Sequence, residues 1–145
     1  MDVRRAAGLT SRLRSGGLRA TGPRVEVLGV LEDLGGHRTA DEVHDALTAR
    51  GGRVPRSSVY NALASLVGAG LVLTADAGPG AVLYETGREW HHHFVCRVCH
   101  RVIDVPCSAA APPCLAADPG VGEVEEVQVV LRGVCTACLD PSGPA

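Results

Sequence analysis

Apolar positions recur at helical spacing through the first half of the chain and at strand-like alternation through the second. Residues 3–15 form a first predicted helix, stopped by Gly16 and Gly17. In LRATGPRVEVLGVLEDLGG, Thr21 stands at a cap position and Pro23 near the first turn. Val27, Leu28, Leu31 and Leu34 then share one helical side before a double glycine. The next stretch, HRTADEVHDALTARGG, carries the spacing of a capping box. The Thr39 hydroxyl can satisfy an early backbone N–H while Glu42, three residues on, reaches back. Val43, Ala46 and Leu47 supply its apolar stripe. A fourth helix, PRSSVYNALASLVGAGLV, begins at Pro55 and sets Val59, Leu63, Leu66 and Val67 on one face. Arg56, Ser57, Tyr60, Asn61 and Ala64 fall on the other.

The pattern then changes period. LVLTADAGPGAVLYE reads as two strands about a Gly-Pro-Gly turn, and short helices followed by a hairpin are the order of a winged helix-turn-helix. In that architecture the last helix enters the major groove and the hairpin flanks it. Its outer face, with small and hydrogen-bonding side chains and one tyrosine, suits that task. HHFVCRVC, RVIDVPC and EVEEVQVVLRGVC are β-rich runs, separated in part by SAAAPPCLAADPGVG, a loop with room for a short helix at most. A strand-rich unit of this size has too little core to stand alone and calls for a metal, a second subunit, or both. The fold expected is α+β: a winged helix-turn-helix over residues 1–85, a hinge at about 84–90, and a metal-binding unit over 91–145.

Charge divides the chain at a similar place. Residues 1–70 carry ten Arg against seven acids, and residues 71–145 carry four Arg against nine, with no Lys anywhere. A weakly basic front half joined to an acidic back half fits two separate tasks. No apolar run approaches the roughly 20 residues of a membrane span, and MDVRRAAGLTSRLR lacks the apolar stretch of a signal peptide. A cytoplasmic protein with no membrane partner is therefore expected. In a reducing compartment, six cysteines favour metal binding or redox chemistry over structural disulfides.

WHHHFVCRVCH concentrates that chemistry. Cys96-x-x-Cys99 and Cys135-x-x-Cys138 are two thiolate knuckles, and a two-residue spacer lets both sulfurs of each knuckle face one ion. Together they make a four-sulfur zinc site. Redox-active CxxC pairs are the rival reading, but neither motif ends a βα unit, where a helix N-terminus would lower the thiol pKa. In an extended segment His91 and His93 point the same way and His92 the opposite way. Paired imidazoles suit a borderline divalent ion, and Glu85 and Asp104, placed to converge on them, shift the preference toward Fe or Mn. The stretch thus serves two sites, one of sulfur and one of nitrogen and oxygen. Every plausible acid, base or nucleophile is claimed by these sites, so an enzyme is not expected.

GLRATGPR, HRTADEVHDAL, SSVYNAL, GLV, YE, HHHFVCRVC, IDV and GVCTAC, in this order and spacing, resemble the ferric-uptake-regulator family over nearly the whole chain. The resemblance implies a homodimer with an N-terminal winged helix and a C-terminal α/β dimerisation domain. It implies a repressor that binds an inverted-repeat operator in double-stranded DNA when its regulatory metal is present. The structural Zn2+ ligands carry over to Cys96, Cys99, Cys135 and Cys138. Those of a regulatory Fe2+ or Mn2+ carry over to His37, Glu85, His91, His93 and Asp104. His37 enters through the resemblance alone. One ion would then tie the DNA-binding domain to the hinge and the dimer domain, selecting a closed arrangement.

Within the family, VEEVQVVLRGVC lacks the histidine of a further sensory site, with Val127 near its expected place. The hinge DAGPGAVLYE lacks the cysteine of the zinc-uptake branch, and the extra histidines of the nickel-sensing branch are absent. IDVPCSAAAPPCL, with Cys107 and Cys114, and Asn61 after the recognition-helix Tyr resemble the actinobacterial peroxide-responsive subgroup. That subgroup represses catalase or catalase-peroxidase genes. Its signal is hydrogen peroxide, which oxidises a ligand of Fe(II), here His37 or His91, and so releases the metal. Cys107 and Cys114 could instead form a thiol switch, or be two small buried hydrophobes. Tyr60, Arg56, Ser57 and Asn61 are the expected DNA contacts, with Arg19 and Arg24 as phosphate clamps. The alternative reading is an iron or zinc homeostasis regulator that answers to metal supply only.

Overall fold

A computed structural model describes residues 2–75, 82–87, 91–106 and 129–139. The chain divides into two compact units, Met1–Gly87 and Arg88–Ala145. Cys107, Cys114 and most of the loop between β5 and β6 lie outside the described residues, as does part of the expected hinge. No helix among the described residues is long and apolar enough to cross a membrane.

The first unit contains α1 (Val3–Ser15), α2 (Gly22–Leu34), β1 (Arg38–Thr39), α3 (Ala40–Ala49), α4 (Arg56–Gly68), β2 (Leu73–Ala75) and β3 (Leu83–Glu85). The helix ends follow local chemistry. Pro23 stands in the first turn of α2, with Thr21 at its N-cap although the hydroxyl makes no capping bond. At α3 the capping box is complete: Thr39 Oγ1 accepts from the Glu42 N–H at 3.1 Å, and Glu42 Oε2 accepts from the Thr39 N–H at 2.7 Å.

α2 is the central helix, packed by α1, α3 and α4, and buries five successive residues, Val27 to Leu31. That is broader than a single apolar stripe, because neighbours surround it on several sides. Leu9 and Leu13 of α1, Val43 and Leu47 of α3, Val59, Leu63 and Leu66 of α4, and Val72 complete the core. Arg5 and Arg50 both pair with Asp33, pinning α1 and the end of α3 to α2. The Arg50 guanidinium, with Arg5, holds the Asp33 carboxyl below its ordinary range despite partial burial.

The sheet of this unit runs β1-β3-β2, all antiparallel, with Arg38 opposite Tyr84 and Thr39 opposite Leu83. β1 is only two residues long and shows no alternation in the sequence. It forms because Gly35 and Gly36 reverse the chain after α2, both at φ 58. Gly35, at ψ 173, occupies a region essentially closed to residues with a Cβ. Gly35→Ala should therefore destabilise the first unit by about 1–3 kcal/mol, measured by thermal or urea unfolding. An unchanged midpoint would show that the turn relaxes freely.

The second unit holds β4 (His91–Cys96), β5 (Val102–Pro106), β6 (Val130–Gly133) and α5 (Thr136–Leu139). Its sheet runs β5-β4-β6, with β4 antiparallel to β5 and parallel to β6. Gly133 lies in register with Cys96, and a Cβ there would come within 3.1 Å of the Phe94 ring. A small residue at this point lets β6 pass close to β4 before the second cysteine pair.

Candidate metal centres and nucleic-acid face

The sulfur site is assembled by β4, the turn after it, and α5. Cys96 closes β4 and is fully buried. The chain then turns back, with the His100 N–H on the Cys96 carbonyl at 3.0 Å and His100 itself at φ 60. This turn presents Cys99. From the other side, Cys135 precedes α5, and the Cys138 N–H donates to the Cys135 carbonyl at 2.9 Å. The four sulfurs lie within 4.8 Å of one another, and Cys99 Sγ is 3.8 Å from Cys135 Sγ. Four sulfurs at the usual zinc–sulfur length of about 2.3 Å stand about 3.8 Å apart in a tetrahedron. The donor set and spacing thus fit a structural zinc ion.

The four thiols are not equivalent. Backbone N–H groups, of Cys99 foremost, then Cys135 and Val98, stabilise negative charge on the Cys96 sulfur and bring its pKa down to about 5. Two of these approach at 3.3 Å from Cys135 and 3.4 Å from Val98. Cys138 is pushed up to about 12, chiefly by its hydrogen bonds with Cys135 and Cys99. Without a cation, crowded sulfurs keep a proton. At neutral pH Cys96 is already a thiolate while Cys138 is protonated, so zinc must displace the Cys138 proton. Loading the reduced protein with Zn2+ should therefore release protons, and affinity should weaken as pH falls. Below about pH 5, protonation of Cys96 adds a further competitor. A lightly buffered titration with a pH indicator measures this; binding without proton release would contradict it.

The nitrogen and oxygen donors occur as two sets, one in each unit. In the first unit, continuing the β1–β3 register by one residue brings His37 opposite Glu85. Their side chains, 7% and 6% exposed, meet with Nε2 3.3 Å from Oε2. In the second unit, His91 and His93 project from the same face of β4, with Nε2 atoms 3.1 Å apart and rings edge to face. Asp104 is registered opposite His93 on β5, and its Oδ1 lies 3.7 Å from His91 Nε2. His93 is buried. Each set offers nitrogen and carboxylate oxygen to a divalent ion.

On α4, Arg56, Ser57, Tyr60 and Asn61 are all exposed, while Val59, Ala62, Leu63 and Leu66 are buried. The helix thus presents a short polar face with its apolar side anchored in the core. Arg24 donates from Nη2 to Ser65 Oγ and from Nη1 to the Arg19 carbonyl, both at 3.1 Å. That holds Arg24 beside the same helix, with Arg19 exposed nearby in sequence. Asp41 of α3, not singled out by the sequence, bonds to both Arg56 and Tyr60.

The model of the ferric uptake regulator family matches residues 15–110. The chain belongs to the ferric uptake regulator family. It is 37% identical over 123 residues to ferric uptake regulation protein 1 of Mycolicibacterium fortuitum, covering 83% of this chain and 76% of that protein. Transcriptional regulator FurA of Mycobacterium tuberculosis is 36% identical over 131 residues, covering 88% and 87%. Among solved structures, the ferric uptake regulator of Pseudomonas aeruginosa with manganese superposes with a TM-score of 0.68 at 26% identity, covering 88% of this chain and 97% of that one. Ferric uptake regulators are metal-responsive transcription regulators, not enzymes. The winged helix, the α/β second unit and the four-cysteine cluster are the fold expected of this family.

Proposed function

We propose that the chain is a dimeric repressor that binds an inverted-repeat operator when its regulatory ion is present and lets go when peroxide oxidises a ligand of that ion. The observation that carries this reading is the pair of incomplete donor sets. His37 and Glu85 supply two donors, and His91, His93 and Asp104 supply three. Neither set alone fills the coordination shell of Fe2+ or Mn2+. Six positions separate Glu85 from His91, a connection that spans at most about 22 Å. One ion shared by both sets would restrain how the DNA-reading unit is carried, and so set the separation of the two reading helices in a dimer.

The sulfur cluster would hold a structural Zn2+ in each subunit. Exposed apolar Ile103 and Leu131, on the outer strands β5 and β6, are side chains that a second copy could cover. Tyr60, Arg56, Ser57 and Asn61 would read base edges, while Arg19 and Arg24 would neutralise phosphates. The single-subunit charge supply is small, which favours binding as a dimer. A ferrous ion held by these residues would supply the chemistry that activates peroxide; overall, peroxide would pass one oxygen to a ligand ring, which is oxidised by two electrons, and its other oxygen would leave as water. The ring of His37 or His91 would gain one oxygen, become a poorer donor and weaken the shared site. A catalase or catalase-peroxidase gene is the target consistent with that signal. Cys107 and Cys114 are retained as a candidate thiol switch.

A second reading, regulation by metal supply alone, is favoured by the name of the ferric uptake regulation protein relative. The two separate in one experiment: operator binding by Fe(II)-loaded and Mn(II)-loaded protein, each with and without hydrogen peroxide. Peroxide should abolish binding only in the iron form, with one added oxygen on the His37 or His91 peptide by mass spectrometry. Equal survival of both forms would sink peroxide sensing and leave metal supply as the signal.

A further inference from the structure

We infer that Asp41 is a specificity-determining residue, acting by positioning Tyr60 and Arg56 before DNA arrives; the inference rests on the reading of α4 as the DNA-reading helix. A carboxylate is at first sight out of place there, because it repels phosphate. Its geometry resolves the conflict. Asp41 Oδ1 lies 2.9 Å from Arg56 Nη1 and accepts the Tyr60 hydroxyl at 3.2 Å, so one oxygen restrains two side chains on successive turns of α4.

These side chains need restraint. Tyr60 is 46% exposed and the Arg56 side chain 57% exposed, so packing does not set their rotamers. The Tyr60 ring borders a cavity of about 190 Å³ with Thr39, Ala40, Val82 and Tyr84, which leaves it room to swing. The Asp41 backbone is fixed in the first turn of α3, two residues after the Thr39 cap. The Asp41 side chain is itself half-exposed, so the restraint on Tyr60 and Arg56 comes from the bonds they share with it and from the packing of α3 beside α4.

Two effects follow from one carboxylate. Preorganised side chains lose less rotamer freedom on reading the correct bases. Meanwhile Asp41 neutralises Arg56 and repels the backbone, lowering affinity for duplexes in which Tyr60 and Arg56 find no matching edge. Asp41 should thus widen the gap between operator and random DNA more than it changes either stability or metal content. An exposed ion pair of this kind contributes little to folding.

The test uses full-length Mn(II)-loaded protein, an operator duplex selected by the wild type from a random pool, and a scrambled duplex. Asp41→Asn should lower the operator-to-scrambled affinity ratio about tenfold, mainly by tighter scrambled binding. The salt slope on scrambled DNA should steepen by about one phosphate contact per subunit as Arg56 is released. Asp41→Glu should recover part of the ratio, and Asp41→Asn should have less effect in a Tyr60→Phe background, where the hydroxyl is already gone. An unchanged ratio, or affinities that shift in parallel on both duplexes, would overturn the role of Asp41 and leave the α4 reading standing. Wild-type operator binding by both Tyr60→Ala and Arg56→Ala would instead remove α4 as the reading helix, and this inference with it.

Discussion

Cys96→Ser is expected to strip the sulfur site of zinc and unfold the strands it joins. Among the described residues of the second unit, the buried apolar side chains are Val95, Cys96 and Cys135. Those side chains alone do not offset the entropy of ordering three strands, which leaves a large share of the stabilisation to the metal. Zinc held by four thiolates contributes about 10–16 kcal/mol in small zinc domains near neutral pH, more than the whole stability of a typical domain. Cys96 is the sulfur most dependent on its surroundings, fully buried and accepting backbone N–H groups from both knuckles. A serine hydroxyl stays protonated there and is a poor zinc ligand. Metal analysis should find no zinc at that site, and hydrogen exchange should show protection lost across 91–106 and 129–139. The helices of the first unit should keep their protection, since Leu28, Leu31, Leu63 and Leu66 form a core of their own. A zinc-free variant with protected strands would mean that the sheet folds without metal.

His37→Ala should cut Mn(II)-stimulated operator binding by about 100-fold, toward the upper end of ordinary coupling between two sites, while zinc content changes little. Because the lost side chain is buried against Glu85, the first unit should also melt earlier, so binding is read well below its midpoint. His37 stands in the segment after α2 that lies beside β3, its side chain almost wholly buried against Glu85. It lies buried against Glu85 rather than on the exposed face of α4, so a selective loss of metal response would come from the regulatory ion. Anisotropy titrations of a labelled operator against Mn(II) measure the effect, with Glu85→Gln as a companion that keeps shape and removes charge. Undiminished stimulation in both variants would exclude the first unit from the regulatory site and remove the physical link between metal and DNA.

Much of the molecule is legible in local sequence. Gly16, Pro23, Thr39, Glu42 and the Gly51-Gly52 pair mark helix ends because capping and φ preference act within one turn of the chain. The outward set on α4, Arg56, Ser57, Tyr60 and Asn61, follows from the opposite placement of Val59, Leu63 and Leu66, since helix periodicity alone relates the two faces. The knuckle spacing names four cysteines, and strand alternation puts His91 beside His93. The short helix α5 is less visible, because four residues around a cysteine knuckle carry no apolar period.

What the sequence determined by itself is therefore local: element type, element ends, which face is polar, and which residue types can bind sulfur-loving or oxygen-loving ions. Tertiary structure decided the pairings across long stretches of chain. Residue by residue, His37 was an undistinguished histidine after a double glycine; the register of a two-residue strand against β3 puts it on Glu85. Asp41 was one acid in the first turn of a helix until α4, packed beside α3, brought Tyr60 and Arg56 to it. Four like thiols became one of low and one of high pKa because backbone N–H groups and neighbouring sulfurs converge unequally on them. The division has one cause. Dihedral preference and capping reach about one helical turn, whereas register, burial and the field at a side chain depend on groups that only folding brings near.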